Sequence, residues 1–244
     1  MRYAIAAGLA LLLSATTAGA YTAEELVAKN LEAHGGIDKI HALKSLRLEG
    51  KLIFGGAFEL QATSLYKAPD KLRRDATLQG LTQVQAWDGK EGWQIQPFGG
   101  RKDPERLSEA DARSLADGAD MVNALVDWKA AGSSIEYLGT EDVDGTEAHK
   151  LKLTRKNGDV TYYFLDPDYF LEIRALDSQR LRGVLTESET DFGDYEQVDG
   201  VYLPFSLSFG PKGSTQKAKM VVEKATANAP IDDSQFAFPA TAAK

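Results

Sequence analysis

No cysteine occurs in this chain. That excludes a disulfide framework, thiol catalysis and cysteine-based zinc sites. Histidine is nearly as scarce, with His34, His41 and His149 the three present. None belongs to an H-E-x-x-H pair, and we read all three as surface or helix-end side chains. No G-x-S-x-G elbow is present to raise a nucleophilic serine. The glycine pairs at 55–56 and 99–100 lack a phosphate-binding fingerprint. After residue 20 no apolar run is long enough to cross a bilayer. Positive charge is in deficit: 28 Lys and Arg against 36 Asp and Glu give a net charge of −8. Charge of that sign keeps a protein soluble and argues against binding nucleic acid or an anionic membrane by charge. Contact with a membrane through apolar residues stays open.

The first twenty residues stand apart. Arg2 gives a positive start, Ala4 to Leu13 is a short apolar run, and Ala18-Gly19-Ala20 is a small-residue cleavage pattern. Together they predict a secretory signal peptide over 1–20, too short for a membrane span. Cleavage after Ala20 leaves 244 − 20 = 224 residues beginning at Tyr21, and loss of Arg2 makes the charge −9. No cysteine follows to carry a lipid. The expectation is an exported soluble protein, one domain over 21–244, large enough to bury about 70–75% of its unfolded surface without staples.

Thr22 and Glu25 form a T-x-x-E capping box for an opening helix, which Gly35-Gly36 stops. A short helical turn over Ile37–Leu43 follows. Strands then dominate, and the alternation predicts Ser45–Phe54, Phe58–Tyr66, Lys71–Leu78, Thr82–Trp87 and Gly92–Pro97. A second run covers Ser134–Gly139, Ala148–Arg155, Val160–Leu165, Phe170–Leu176, Val184–Tyr195, Val201–Phe209 and Gln216–Ala225. Turn chemistry separates them at Asp88-Gly89, Asp144-Gly145, Asn157-Gly158, Asp166-Pro167 and Asp199-Gly200. About eleven strands at this spacing suit a barrel or sandwich. Phe236, Phe238 and Pro239 suggest that the tail docks before an Ala-rich end frays.

One segment breaks the β pattern. Residues 101–132 read as a helical insertion, with Leu115, Ala119, Val122 and Val126 on one stripe and Met121, Leu125 and Trp128 on the next. Those stripes must be buried against something, and the apolar face of the sheet is available. On Val201–Phe209, every second residue is large and apolar: Val201, Leu203, Phe205, Leu207 and Phe209. That row is either packed core or the wall of a cavity. Asp142-x-Asp144-Gly145 starts like a calcium loop but lacks the rest of an EF-hand and reads as a turn. Glu187, Glu189 and Asp191 alternate along one strand as a solvated face. We find no catalytic constellation and expect neither an enzyme nor a cofactor.

The stretches AWDGKEGWQIQPFGG (86–100), GTEDVDGTEAHKLKLTRKNGD (139–159), YYFLDPDYFLEIR (162–174) and DYEQVDGVYLPFSLSF (194–209) resemble, in their order and spacing, outer-membrane lipoprotein-sorting proteins of the LolA/LolB-like superfamily. NLEAHGGIDKIHALKSLRLEG (30–50) looks like a divergent branch. The resemblance implies a mainly β, half-open antiparallel barrel with an N-terminal helix and a helical lid over about 104–132. It also implies a periplasmic carrier that shields lipid or lipoprotein acyl chains between an inner-membrane donor and an outer-membrane acceptor. Strand parity places Phe58, Leu60, Tyr162, Phe164 and the Val201–Phe209 row in the cavity, facing Leu115, Met121, Val122, Leu125, Val126 and Trp128 of the lid. Tyr163 and Leu165 are equally apolar on the other parity. The competing reading is a protein-binding or sensor module of the same fold, its cavity filled by its own side chains.

Overall fold

A computed structural model describes residues 21–239 except 57 and 182. The segment read as a signal peptide and the Ala-rich end lie outside these residues. The chain opens with α1 (Ala23–Ala33), capped as expected by the reciprocal Thr22–Glu25 box. α2 (Ile37–Ala42) follows at once. Next come β1 (Ser45–Phe54), β2 (Phe58–Lys67), β3 (Lys71–Leu78), β4 (Leu81–Trp87), β5 (Gly92–Gln96) and β6 (Arg101–Arg106). α3 (Glu109–Asp117) and a run of turns to residue 133 lead to the second series. That series is β7 (Ser134–Val143), β8 (Thr146–Thr154), β9 (Val160–Leu165), β10 (Glu172–Leu181), β11 (Val184–Val198), β12 (Val201–Pro211) and β13 (Ala218–Ala227).

All thirteen strands form one antiparallel sheet in the order β6-β5-β4-β3-β2-β1-β13-β12-β11-β10-β9-β8-β7. The two sequence-local series join where β1 pairs with β13, and β6 and β7 are left as edges. The sheet curls around the segments on its inner face, giving the expected mainly β half-barrel, with one strand beyond the twelve segments read as strands. β6 is the strand that the reading of 101–132 as helical missed. Its sequence RKDPER has neither alternation nor β-branched residues, and pairing with β5 imposes its extended form.

The lid expectation needs a larger correction. Only Glu109–Asp117 is α-helix, and residues 118–133 are a chain of turns. Gly118 caps α3. Asn123 then turns its side-chain oxygen back onto the Leu125 N–H at 2.9 Å, a local bond that competes with helix. Asp127 adopts a positive φ of 53°.

Two layers of core follow from strand parity. On the inner face, Leu26 and Val27 of α1 pack with Leu125, Leu151, Leu153, Tyr163 and Leu165. Beside them, Ile40, Leu46, Val201 and Leu203 pack with Met121, Val122 and Val126. α3 and the residues just after it seat Leu115 and Ala119 on Leu72. The outer face of β4 and β5 carries Val84, Ala86 and Trp93 under Phe238. Here the tail docks as expected: Phe236 is fully buried and its carbonyl accepts from the Trp93 indole at 2.7 Å.

Candidate functional site

The inner face is filled at the end near α1 and α2 and open beyond it. Between β1, β2, β3, β4, β10, β11, β12 and β13 lies a cavity of about 540 Å³. Its walls differ in chemistry. β1 supplies Leu48, Leu52 and Phe54, β12 supplies Leu207 and Phe209, and β13 supplies Met220. The strands flanking them on both sides are polar: Arg74 from β3 and Gln83 and Gln85 from β4 on one, Asp177 and Gln179 from β10 and Ser188 and Thr190 from β11 on the other. Ser114, Asp117 and Gly118 at the end of α3 complete the lining. The volume falls in the range of about 300–1,000 Å³ usual for small-molecule sites.

The end of α3 spans the two halves of the sheet. Arg74 of β3 donates to the Gly118 carbonyl at 3.4 Å. On the other half, Gln179 of β10 donates to Asp117 at 3.3 Å, and Arg155 lies 3.6 Å from the same carboxylate. Burial pushes the Asp117 carboxyl above its usual range, with Arg155 pulling against it. Burial also raises Asp177, against a bond from Thr161 and the charge of Arg155. Asp75 is held by Arg73 at 2.9 Å. Arg74 is thus a cation of the cavity wall without an ion-pair partner among the described residues.

Behind the cavity is a buried polar junction that the sequence reading missed. His34 Nδ1 faces the Tyr202 carbonyl at 2.7 Å, and Nε2 faces Glu172 at 2.8 Å. Both partners only accept, so the ring satisfies both as an imidazolium. Tyr195 donates to the same carboxylate at 3.1 Å. Asn30 donates to its other oxygen, Oε1, at 3.2 Å and to the Phe170 carbonyl at 2.8 Å, and Asn123 donates to that same Oε1. Burial alone lowers the His34 pKa, but the charge and hydrogen bond of Glu172 leave it raised. Burial likewise pushes Glu172 up, and His34 leaves it lowered. His34 does stand at a helix end, as the C-cap of α1, but it is buried and not on the surface. The signal available was Asn30 four residues before His34 on one face of α1. His41 is exposed and pairs with Asp127 at 2.8 Å.

Of the residues singled out for the cavity, Leu207 and Phe209 line it. Val201 and Leu203 are packed core with Met121, Val122 and Val126, so the apolar row changes role along its length. Leu125 is fully buried, with Trp128 against the same cluster as α1. Leu115 packs on Leu72. Leu60 is buried, Phe205 half-buried and Phe58 exposed at a hairpin tip, outside the cavity lining. Tyr162 and Phe164 join a separate cluster with Val143, Ala148 and Leu176, and it is Tyr163 and Leu165 that face α1. Leu48, Leu52 and Met220 were not singled out.

No family model and no curated protein matches the sequence. The fold does match solved structures. A DUF1329-family protein from Desulfovibrio piger superposes with a TM-score of 0.60 at 13% identity, over 88% of this chain and 97% of the other. A LolA-superfamily protein from Nitrosomonas europaea gives 0.58 at 15% identity, over 89% and 98%. This is a LolA-type fold. A Vibrio parahaemolyticus domain described as outer-membrane lipoprotein-sorting gives 0.58 at 12% identity, over 87% and 94%. At such identities the LolA-type likeness concerns the architecture, whose half-open barrel leaves a cavity of two chemistries in this chain.

Proposed function

We propose that this protein is a non-catalytic periplasmic carrier that shields a hydrophobic ligand, lipid or lipoprotein acyl chains, between inner and outer membranes. The observation that carries the reading is the cavity with an apolar wall flanked by polar strands. Burying an acyl chain against Leu48, Leu52, Leu207 and Met220 gains about 0.8 kcal/mol per methylene. The polar flanks keep hydrogen-bonding groups for a headgroup. The architecture shared with a neighbour named as a LolA-superfamily protein and with one named for outer-membrane lipoprotein sorting supports the same direction. Donor and acceptor proteins at the two membranes belong to this proposal.

The end of α3 is the natural gate. Its polar contacts to Arg74, Gln179 and Arg155 are few and long, so the seat of Leu115 and Ala119 on Leu72 is what sets the cost of opening for handover.

Native mass spectrometry of the chain purified gently from the periplasm, with lipid extraction, tests the reading. A discrete bound mass that extracts as one lipid class is expected. Leu207→Glu lowers binding by about tenfold or more, because a charged carboxylate against an acyl chain costs more than the about 1.4 kcal/mol that this factor represents. A mass that stays ligand-free with added lipids, in a folded protein, rules the carrier out.

A further inference from the structure

We propose that one end of the half-barrel is a membrane-docking rim that seats the cavity mouth on an anionic lipid surface. Antiparallel order puts the β1–β2, β3–β4, β5–β6, β8–β9, β10–β11 and β12–β13 turns all at the same end of the sheet. Among the described residues, eleven large apolar side chains are exposed, and seven of them lie at this end. Phe54 and Phe58 flank the first turn, and Leu81 begins β4. Phe98 is in the β5–β6 turn, Val184 and Leu185 open β11, and Phe209 ends β12. Their exposures run from 37% to 66%. Five separate hairpins carry them, so the pattern is a property of the end and not of one loop. Phe54 and Phe209 also line the cavity, which makes the rim continuous with its apolar wall.

Charge separates along the same axis. The described turn residues at this end include Arg155, Lys156, Lys212 and Lys217 against one acid, Asp159. Arg101, Lys102 and Lys219 stand at the adjoining strand starts, with Glu59 the one acid in the same positions, paired with Lys51. The five turns at the other end carry Asp70, Asp88, Glu91, Asp144, Asp166, Asp168 and Asp199, against Lys90 alone. Four of the rim cations are held by carboxylates: Arg101 by Glu105, Arg155 by Asp117, Lys212 by Glu187, Lys217 by Glu189 and Asp191. Lys102, Lys156 and Lys219 have no ion pair among the described residues. The negative net charge therefore conceals a polar molecule whose basic, apolar end complements anionic lipid, while the acidic end is turned away. Exposed aromatic and aliphatic tips with interspersed cations suit an interfacial position, in which neither a span nor a lipid anchor is needed. The acidic end has no comparable opening, because α1 and α2 close it. A Cβ on Gly35 would lie 2.1 Å from the Gly200 carbonyl, so α1 ends hard against the β11–β12 turn.

The test is flotation of the chain from Tyr21 onward, which holds every described element, with vesicles of phosphatidylethanolamine and phosphatidylglycerol. Co-flotation with these vesicles is expected, weakened in phosphatidylcholine vesicles and by about 1 M salt, where the Debye length is about 3 Å. Phe54→Ser with Phe98→Ser lowers partitioning by about tenfold, whereas Tyr169→Ser at the acidic end leaves it unchanged. A Phe98→Trp reporter blue-shifts its emission on vesicles. The proposal is overturned if the wild type binds neither vesicle, or if the double variant, folded by circular dichroism, binds as well as wild type. It is equally overturned if the rim substitutions disperse a dimer in a protein that never binds vesicles. Ligand-free protein serves throughout, so the outcome is independent of what the cavity carries.

Discussion

His34 and Glu172 are both removed from water, and each is charged at a cost that the other repays. Deleting one partner leaves the other buried and alone, which costs about 3–5 kcal/mol. His34→Ala and Glu172→Gln are each expected to destabilise the fold by about that amount in urea denaturation. The pH dependence has a definite sign. The His34 pKa is raised over an ordinary 6.5, so its contribution is fully present below pH 6.5 and is lost as pH rises through the folded value. The Glu172 pKa is lowered from 4.5, so its contribution is present above pH 4.5 and is lost as pH falls through the folded value. Stability from this pair is greatest between about pH 4.5 and 6.5. Relative to wild type, the His34→Ala deficit is expected to be largest there and to shrink on the alkaline side. A deficit that grows above pH 7 would contradict the pairing. Little of this was legible in the sequence. Asn30, His34, Asn123, Glu172 and Tyr195 come from four distant segments, and no spacing rule links them. Histidine in a charged helix reads as solvated until tertiary contacts close around it.

At the scale of elements, alternation and turn chemistry revealed most of the sheet, because each Asp-Gly or Asn-Gly fixes where a strand ends and thereby its parity. The inserted segment was harder. Its apolar residues recur at helical spacing, yet Gly118 and the Asn123 side chain interrupt the helix, and the stripe is buried by turns instead. The cavity wall was half legible for a related reason. Parity shows which side chains share a face, but not where along a strand the packed core gives way to open space. The C-terminal segment carries a clean prediction. Phe236 is fully buried beneath its own bond to Trp93, and Lys67, Lys71 and Arg73 hold the preceding residues through Ile231, Asp233 and Gln235. Phe236→Ala is expected to cost about 3–5 kcal/mol in a denaturant titration and to red-shift Trp93 emission as water reaches the indole. Substitution of Asp233 alone, which lies on the surface, should leave the denaturation midpoint nearly unchanged.

The curvature of the whole molecule depends on the one seam between its two sequence-local halves. There β1 pairs with β13, and the register slips between Glu49 and Gly50. A Cβ built on Gly50 would stand 2.0 Å from the Val221 carbonyl oxygen and 3.0 Å from the Val222 Cα. These are backbone atoms, so no rotamer change relieves the contact; the strands themselves must separate. A bulge with glycine at such a point bends a strand and sharpens the local twist. The close approach thus couples one residue to the curl that brings Arg74 and Gln179 into one cavity with Leu48 and Leu52. Gly50→Ala is expected to destabilise the fold by about 2–4 kcal/mol, above what a surface methyl costs. It should also loosen the seam before global unfolding, raising hydrogen exchange at Lys51, Leu52, Val221 and Val222 while β7–β9 stay protected. Gly193→Ala, within β11, with open space around it and, like Gly50, no positive φ, controls for the loss of a strand glycine alone. If both variants lose the same stability and exchange alike, the approach of β1 to β13 is not what sets the curvature.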